Sequence, residues 1–206
     1  MTKYVSPGNG ADVRRGEHLG GEFGVWHTRR YNGFTLIELL VVVFIIIVLT
    51  GLVLSTVGYA RTKSARARAE TEIAAMSAAC ENYKADNGVY PYNNVTNALD
   101  AQTSGDPAGT TDPTYSNASL YLYTQLSGDT DGDRIPNNKS YMAFKPNMLL
   151  PAAGAVTAIA DPFGYSYGYS TVNQAVSTKG YNPTFDLWST TGNRTIADAP
   201  KWIKNW

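Results

Sequence analysis

One run of residues limits what this chain can become. From Leu39 to Leu49 every residue is apolar, and apolar character continues to Val57 with only Thr50, Gly51, Ser55 and Thr56 interrupting. Counted from Phe34, the run matches the ~20 residues with which a helix crosses a ~30 Å hydrocarbon layer. A single carboxylate, Glu38, sits near its start. In lipid a charged side chain costs on the order of 2.5–3.5 kcal/mol or more, so an acid kept there is a functional candidate.

The residues around Glu38 carry more than hydropathy. Gly33-Phe34-Thr35-Leu36-Ile37-Glu38, with Arg29-Arg30 before it and an apolar helix after it, resembles the processing and assembly signature of type IV pilins and type II secretion pseudopilins. The resemblance implies that a membrane enzyme, prepilin peptidase, cuts between Gly33 and Phe34 and methylates the new amine of Phe34. It also implies that Glu38 places a subunit against its neighbour in a helical filament. The chemistry agrees with that implication. Gly33 has no side chain to block a protease from the backbone. Phe34 and Glu38 lie on one helix face. After a cut, an amine and a carboxylate would share that face, and in hydrocarbon neither stays unpaired cheaply. The pair can close within one chain or between two, and the second option sets a register for assembly. A plain signal anchor with Glu38 snorkelling to the headgroups is the simpler alternative, but it leaves the six-residue string unexplained.

The rest of the composition narrows the function. The 206 residues carry a formal net charge of zero, so no basic surface points to nucleic acid. Beyond Gly33 stand 12 basic and 14 acidic side chains. Both histidines, His18 and His27, precede the proposed cut, so the processed chain would lack His-dependent triads and His-containing metal sites. No phosphate-binding glycine loop ending in Lys-Ser/Thr is present. The chain is expected not to be an enzyme. Cys80 is the only cysteine, so no intramolecular disulfide can form. Many type IV pilins close a C-terminal loop with a disulfide, which tilts the resemblance toward pseudopilins.

The expected domains follow. Residues 1–33 read as a cleaved leader, 34–57 as a transmembrane helix segment, and 58–206 as a periplasmic head. Beyond Val57 the helix is expected to continue to about residue 87. Ala65, Ala69, Ile73, Met76, Cys80 and Tyr83 form a buried stripe, with Arg68, Glu72 and Lys84 opposite. Asn87-Gly88 is the stop. Cys80 reads as a small buried hydrophobe. Charge does not orient the span, because Arg29 and Arg30 on one side face Arg61, Lys63, Arg66 and Arg68 on the other.

The region 92–160 reads as variable loop, with a turn of helix near 97–102 and an amphipathic helix over 119–126. Tyr165, Tyr167 and Tyr169 alternate as a strand, and Thr184–Ser189 is a second strand paired with it. Asp161-Pro162-Phe163-Gly164, the aromatic strand after it, Phe185-Asp186-Leu187-Trp188-Ser189 and the terminal Asn205-Trp206 resemble the C-terminal sheet of the major pseudopilin of type II secretion. The expected fold class is therefore α+β and pilin-like, a long N-terminal helix packed on a small antiparallel sheet at 161–206.

Asp129, Asp131 and Asp133 alternate along a loop and could converge on a hard cation such as calcium. Against an EF-hand pattern, Arg134 stands where the sharp-turn glycine belongs, and the later bidentate glutamate is missing. A solvated acidic turn is the plainer reading. Typical major pseudopilins bind calcium in the loop after the last-but-one strand, but its counterpart here, residues 190–195, has no carboxylate and carries Arg194.

The expected function is mechanical. Subunits anchored in the bacterial inner membrane, with the head in the periplasm, form a homopolymer that helps export folded proteins. The partners implied are prepilin peptidase, the inner-membrane secretion platform and minor pseudopilins. The alternatives are a type IV pilin for adhesion, motility or DNA uptake, and a membrane-anchored binding module that never polymerises.

Overall fold

The computed structural model describes residues 33–107 and 113–206, without the side chain of Ser55. Expectations for the leader, including Arg29, Arg30 and both histidines, lie outside the described residues. The chain divides into two units, one ending at Ile47 and one spanning Val48–Trp206. Helix α1, Leu36–Asn87, runs through the boundary.

In the first unit the α1 residues, apolar apart from Glu38, are exposed, and the same exposure continues to Leu54. Among the described residues, α1 is the one helix long and apolar enough to cross a membrane.

The second unit is α+β. Along α1, Ala69, Ile73, Met76 and Cys80 are buried at helical spacing, as the stripe requires, while Ala65 and Tyr83 are half-buried. Glu72 is a correction. It is buried, because its carboxylate accepts Tyr167 Oη at 2.8 Å and Arg68 Nε at 2.6 Å. The helix ends at Asn87, where the Gly88 amide bonds Lys84 O at 2.7 Å. Lys84 in the last turn also suits the negative end of the helix dipole.

Helix α2, Thr114–Ser127, starts earlier than its pattern suggests. It buries Tyr115, Ala118, Leu122, Tyr123 and Leu126, whereas Leu120 is half-buried. Its C-cap is Gly128 at φ +74°. A Cβ there would meet the backbone of Asn138 and Lys139, so glycine is required for space as well as for the left-handed turn.

Strands β1, Leu149–Leu150, and β2, Ala158–Ile159, pair antiparallel. Strands β3, Gly168–Ser170, β4, Asp186–Ser189, and β5, Ile203–Lys204, form an antiparallel sheet in the order β3-β4-β5. A short helix α3, Val172–Ala175, lies between β3 and β4. Residues from α1, α2 and this sheet, among them Met76, Leu122, Tyr169 and Leu187, meet in the main core.

The stretch 92–107 is not mere surface loop. It forms turns rather than helix at 97–102, and Thr96, Leu99, Asp100 and Ala101 are buried. Leu99 and Ala101 join Tyr115, Trp188 and Trp202 in a second core cluster.

Candidate functional site

The first site is the start of α1. Thr35 stands just before the helix, and Glu38 is in its first turn. Thr35 N and Thr35 Oγ1 both donate to Glu38 Oε2 at 2.8 Å, and Glu38 N donates to Thr35 Oγ1 at 3.3 Å. This reciprocal pattern is a capping box, which satisfies helix N–H groups that lack an intrahelical partner. The Thr35-x-x-Glu38 spacing is the sequence signal for it. Glu38 thus has a partner within its own chain. Both Thr35 contacts fall on Oε2. Phe34 is 80% exposed, and among the described residues no atom lies near the position a Gly33 side chain would take.

The second site is the acidic loop. Asp129 is buried and accepts four donors: Tyr123 Oη at 2.7 Å and the amides of Gly132 at 2.7 Å, Arg134 at 2.8 Å and Asp131 at 3.2 Å. Burial alone would raise its pKa, but these donors together hold it below the usual carboxylate range. The same contact, with burial first, pushes the Tyr123 hydroxyl up to about 12. The Asp131 and Asp133 carboxylates accept the amides of Asp133 at 3.4 Å and Ile135 at 2.8 Å.

Arg134 takes the sharp turn itself, at φ +76°. That conformation costs a side-chain-bearing residue on the order of 1–2 kcal/mol. Its guanidinium offsets the strain by donating to the carbonyls of Pro151, Ala152 and Gly154 at 2.6, 3.2 and 3.1 Å. The arginine therefore replaces the glycine's geometry, and its charge points onto a neighbouring loop. One oxygen from each of Asp129, Asp131 and Asp133 lies within 4.8 Å of the others. Three oxygens within that spacing stand close enough to surround one hard cation, with a contraction of up to a few tenths of an ångström to reach the calcium range of about 2.3–2.6 Å. The donor set, hard and anionic, fits such a cation.

The remaining polar groups are structural. Tyr167 and Tyr169 are fully buried, and Tyr169 Oη donates to Pro91 O at 2.8 Å, so these two offer no open aromatic face to a sugar, while Tyr165 is half-buried. Asp161 is buried and accepts Ser189 Oγ at 2.6 Å and the amides of Phe163 and Tyr165. Burial raises its pKa. The loop 190–195 is tied by Arg194, which makes a two-pronged ion pair with Asp106 at 2.7 and 2.9 Å and lies 5.6 Å from the Tyr165 ring centroid. Burial pushes the Cys80 thiol far above its ordinary range, which leaves it inert.

An exposed apolar helix opened by a Gly-Phe junction, followed by an α+β unit with small antiparallel sheets, is a pilin-like arrangement. Residues 28–54 match the Prokaryotic N-terminal methylation motif, the segment that marks type IV pilins and pseudopilins. The chain is also similar to the type II secretion system core protein G of Vibrio cholerae serotype O1, at 40% identity over 63 residues. That match covers 31% of this chain and 43% of the relative, less than half of the relative's length. No solved structure matches.

Proposed function

We propose that this chain is a pseudopilin subunit of type II secretion, cut by prepilin peptidase between Gly33 and Phe34, N-methylated on Phe34, and polymerised through α1. One observation carries the reading: the methylation motif sits on a helix whose apolar residues are exposed from Phe34 to Leu54. A surface that apolar needs lipid before assembly and neighbouring helices after it. The N-terminus lies in the cytoplasm and the head in the periplasm, with the secretion platform and minor pseudopilins as partners. Glu38 has two tasks. Oε2 closes the capping box, and Oε1 receives the Phe34 amine of the same or an adjoining subunit.

Mass spectrometry of the native N-terminus tests the processing step. Methyl-phenylalanine at Phe34 is expected, and a chain that retains Met1 overturns the proposal. For assembly, Glu38→Gln should slow filament growth at least tenfold, measured by electron microscopy. Growth at the normal rate would remove Glu38 from the assembly role.

The acidic loop belongs to the same reading as a calcium site that stiffens the head, with Asp129, Asp131 and Asp133 as ligands. Supporting it are the convergent oxygens and the left-handed Arg134. Calorimetry with calcium on the detergent-solubilised chain should show binding, together with a higher melting temperature. Neither heat nor a melting shift would retire the site.

A further inference from the structure

Between Glu38 and Glu70 the chain carries no acid, yet Arg61, Lys63, Arg66 and Arg68 crowd together directly beyond the apolar run. All four are on α1. Among the described residues, Arg61 and Lys63 are exposed and in no ion pair, and Lys63 Nζ lies 5.9 Å from the Tyr59 ring centroid. Arg66 donates to Lys201 O at 3.0 Å, and Arg68 is held by Glu72. Arg61, Ser64, Ala65 and Arg68 fall on one helix face by their spacing. With Ala60 and Pro162 they line an open recess of about 450 Å³, which places two guanidinium side chains and a hydroxyl around a common space. The nearby acid Asp161 is buried and bonded to Ser189, and Glu72 is paired with Arg68, so among the described residues Arg61 is the uncompensated charge at the recess.

We propose that residues 59–68 bind the headgroups of anionic phospholipids, with one lipid phosphate seated between Arg61, Ser64 and Arg68 and another drawn to Lys63. The proposal rests on the reading of α1 as a membrane anchor. Arg61 is four residues past Val57, about 6 Å along the helix, which is headgroup depth for a span ending there. Tyr59, 71% exposed, has the amphipathic ring favoured at that level. Unpaired cations beside a span attract acidic lipid, each strengthening attachment to an anionic surface about fivefold. Arginine's forked donors match phosphate oxygens.

The test uses the full chain reconstituted into vesicles of phosphatidylcholine containing about one third phosphatidylglycerol, a strongly anionic surface. After mild detergent extraction, native mass spectrometry counts the lipids retained. Phosphatidylglycerol should be enriched at least about threefold over its bulk share, and Arg61→Gln with Lys63→Gln should bring the ratio back to bulk. Both side chains are exposed, so melting of the head should not change. Ser64→Leu, which fills the recess, should reduce the enrichment without removing charge. Incorporation without enrichment overturns this proposal and leaves the anchor standing. Failure to enter either vesicles or pure phosphatidylcholine overturns both. If the double variant keeps the lipid ratio but associates less with itself, the cations face acids of a second copy and the lipid proposal falls.

Discussion

Asp129 shows how one side chain organises a loop. Its carboxylate gathers four donors from a hydroxyl and three amides, so removing its charge leaves those donors facing a group that can accept fewer of them. Asp129→Asn should lower stability at pH 7 by about 1–3 kcal/mol, read by thermal melting in detergent with a chelator present. Its folded-state pKa lies below its unfolded value, so its contribution is present above that unfolded value, near 4. The gap between wild type and variant should therefore narrow as pH falls through about 4 and below. Asp161 has the opposite sign. Burial raises its pKa, so its contribution is full below its unfolded value and is lost as pH rises through the folded one. At this scale the sequence was only partly readable. The alternation of the three acids showed that they could converge, and the structure brings their oxygens together. That Arg134 would adopt the turn reserved for glycine was hidden, because the carbonyls that hold it come from residues 151–154 across the fold.

At the scale of elements, long periodic segments were legible and short non-local ones were not. Helix α1 announces itself by hydropathy, then by the stripe through Cys80, then by Asn87-Gly88. Glu72 escaped that pattern because its partner Tyr167 lies 95 residues away. The pairing of β1 with β2 and the addition of β5 each rest on two residue pairs, too few for alternation to register. The turns at 97–102 are held by tertiary contacts, including Thr96 Oγ1 against Thr171 Oγ1 at 2.8 Å. The β3–β4 pair was readable, and it makes a specific demand. Gly168 opposes Trp188, and a Cβ on Gly168 would overlap the indole. Trp188 cannot yield freely, since its Nε1 donates to Tyr115 Oη at 2.8 Å and its ring stacks near Trp202. Gly168→Ala should destabilise the chain by about 1–3 kcal/mol or more, with altered tryptophan fluorescence in the folded state. Unchanged melting would mean that the indole has room to shift.

Along α1, an apolar exposed part comes first and the part with a buried stripe follows, with the cations Arg61, Lys63, Arg66 and Arg68 between them. A cation at the centre of the apolar run should break that arrangement. Ile46→Lys costs about 2.5–3.5 kcal/mol at mid-span, so the fraction of chain recovered with membranes should fall severalfold by fractionation and immunoblot. Recovery equal to wild type would argue that the run does not span. The α+β class was open to the sequence because hydropathy, stripe and aromatic strands all pointed the same way. The detailed packing of 92–160 was not, because outside α2 its buried residues, such as Leu99, Met148 and Ile159, sit in loops, short turns and two-residue strands with no period to mark them. One further consequence follows from Cys80, sealed in the core at 0% exposure. The folded chain presents no reactive thiol, so its shape should be indifferent to thiol–disulfide conditions around it. It also means that a cysteine planted on its surface would be the sole target of a maleimide dye, which makes the native chain its own background-free scaffold for labelling.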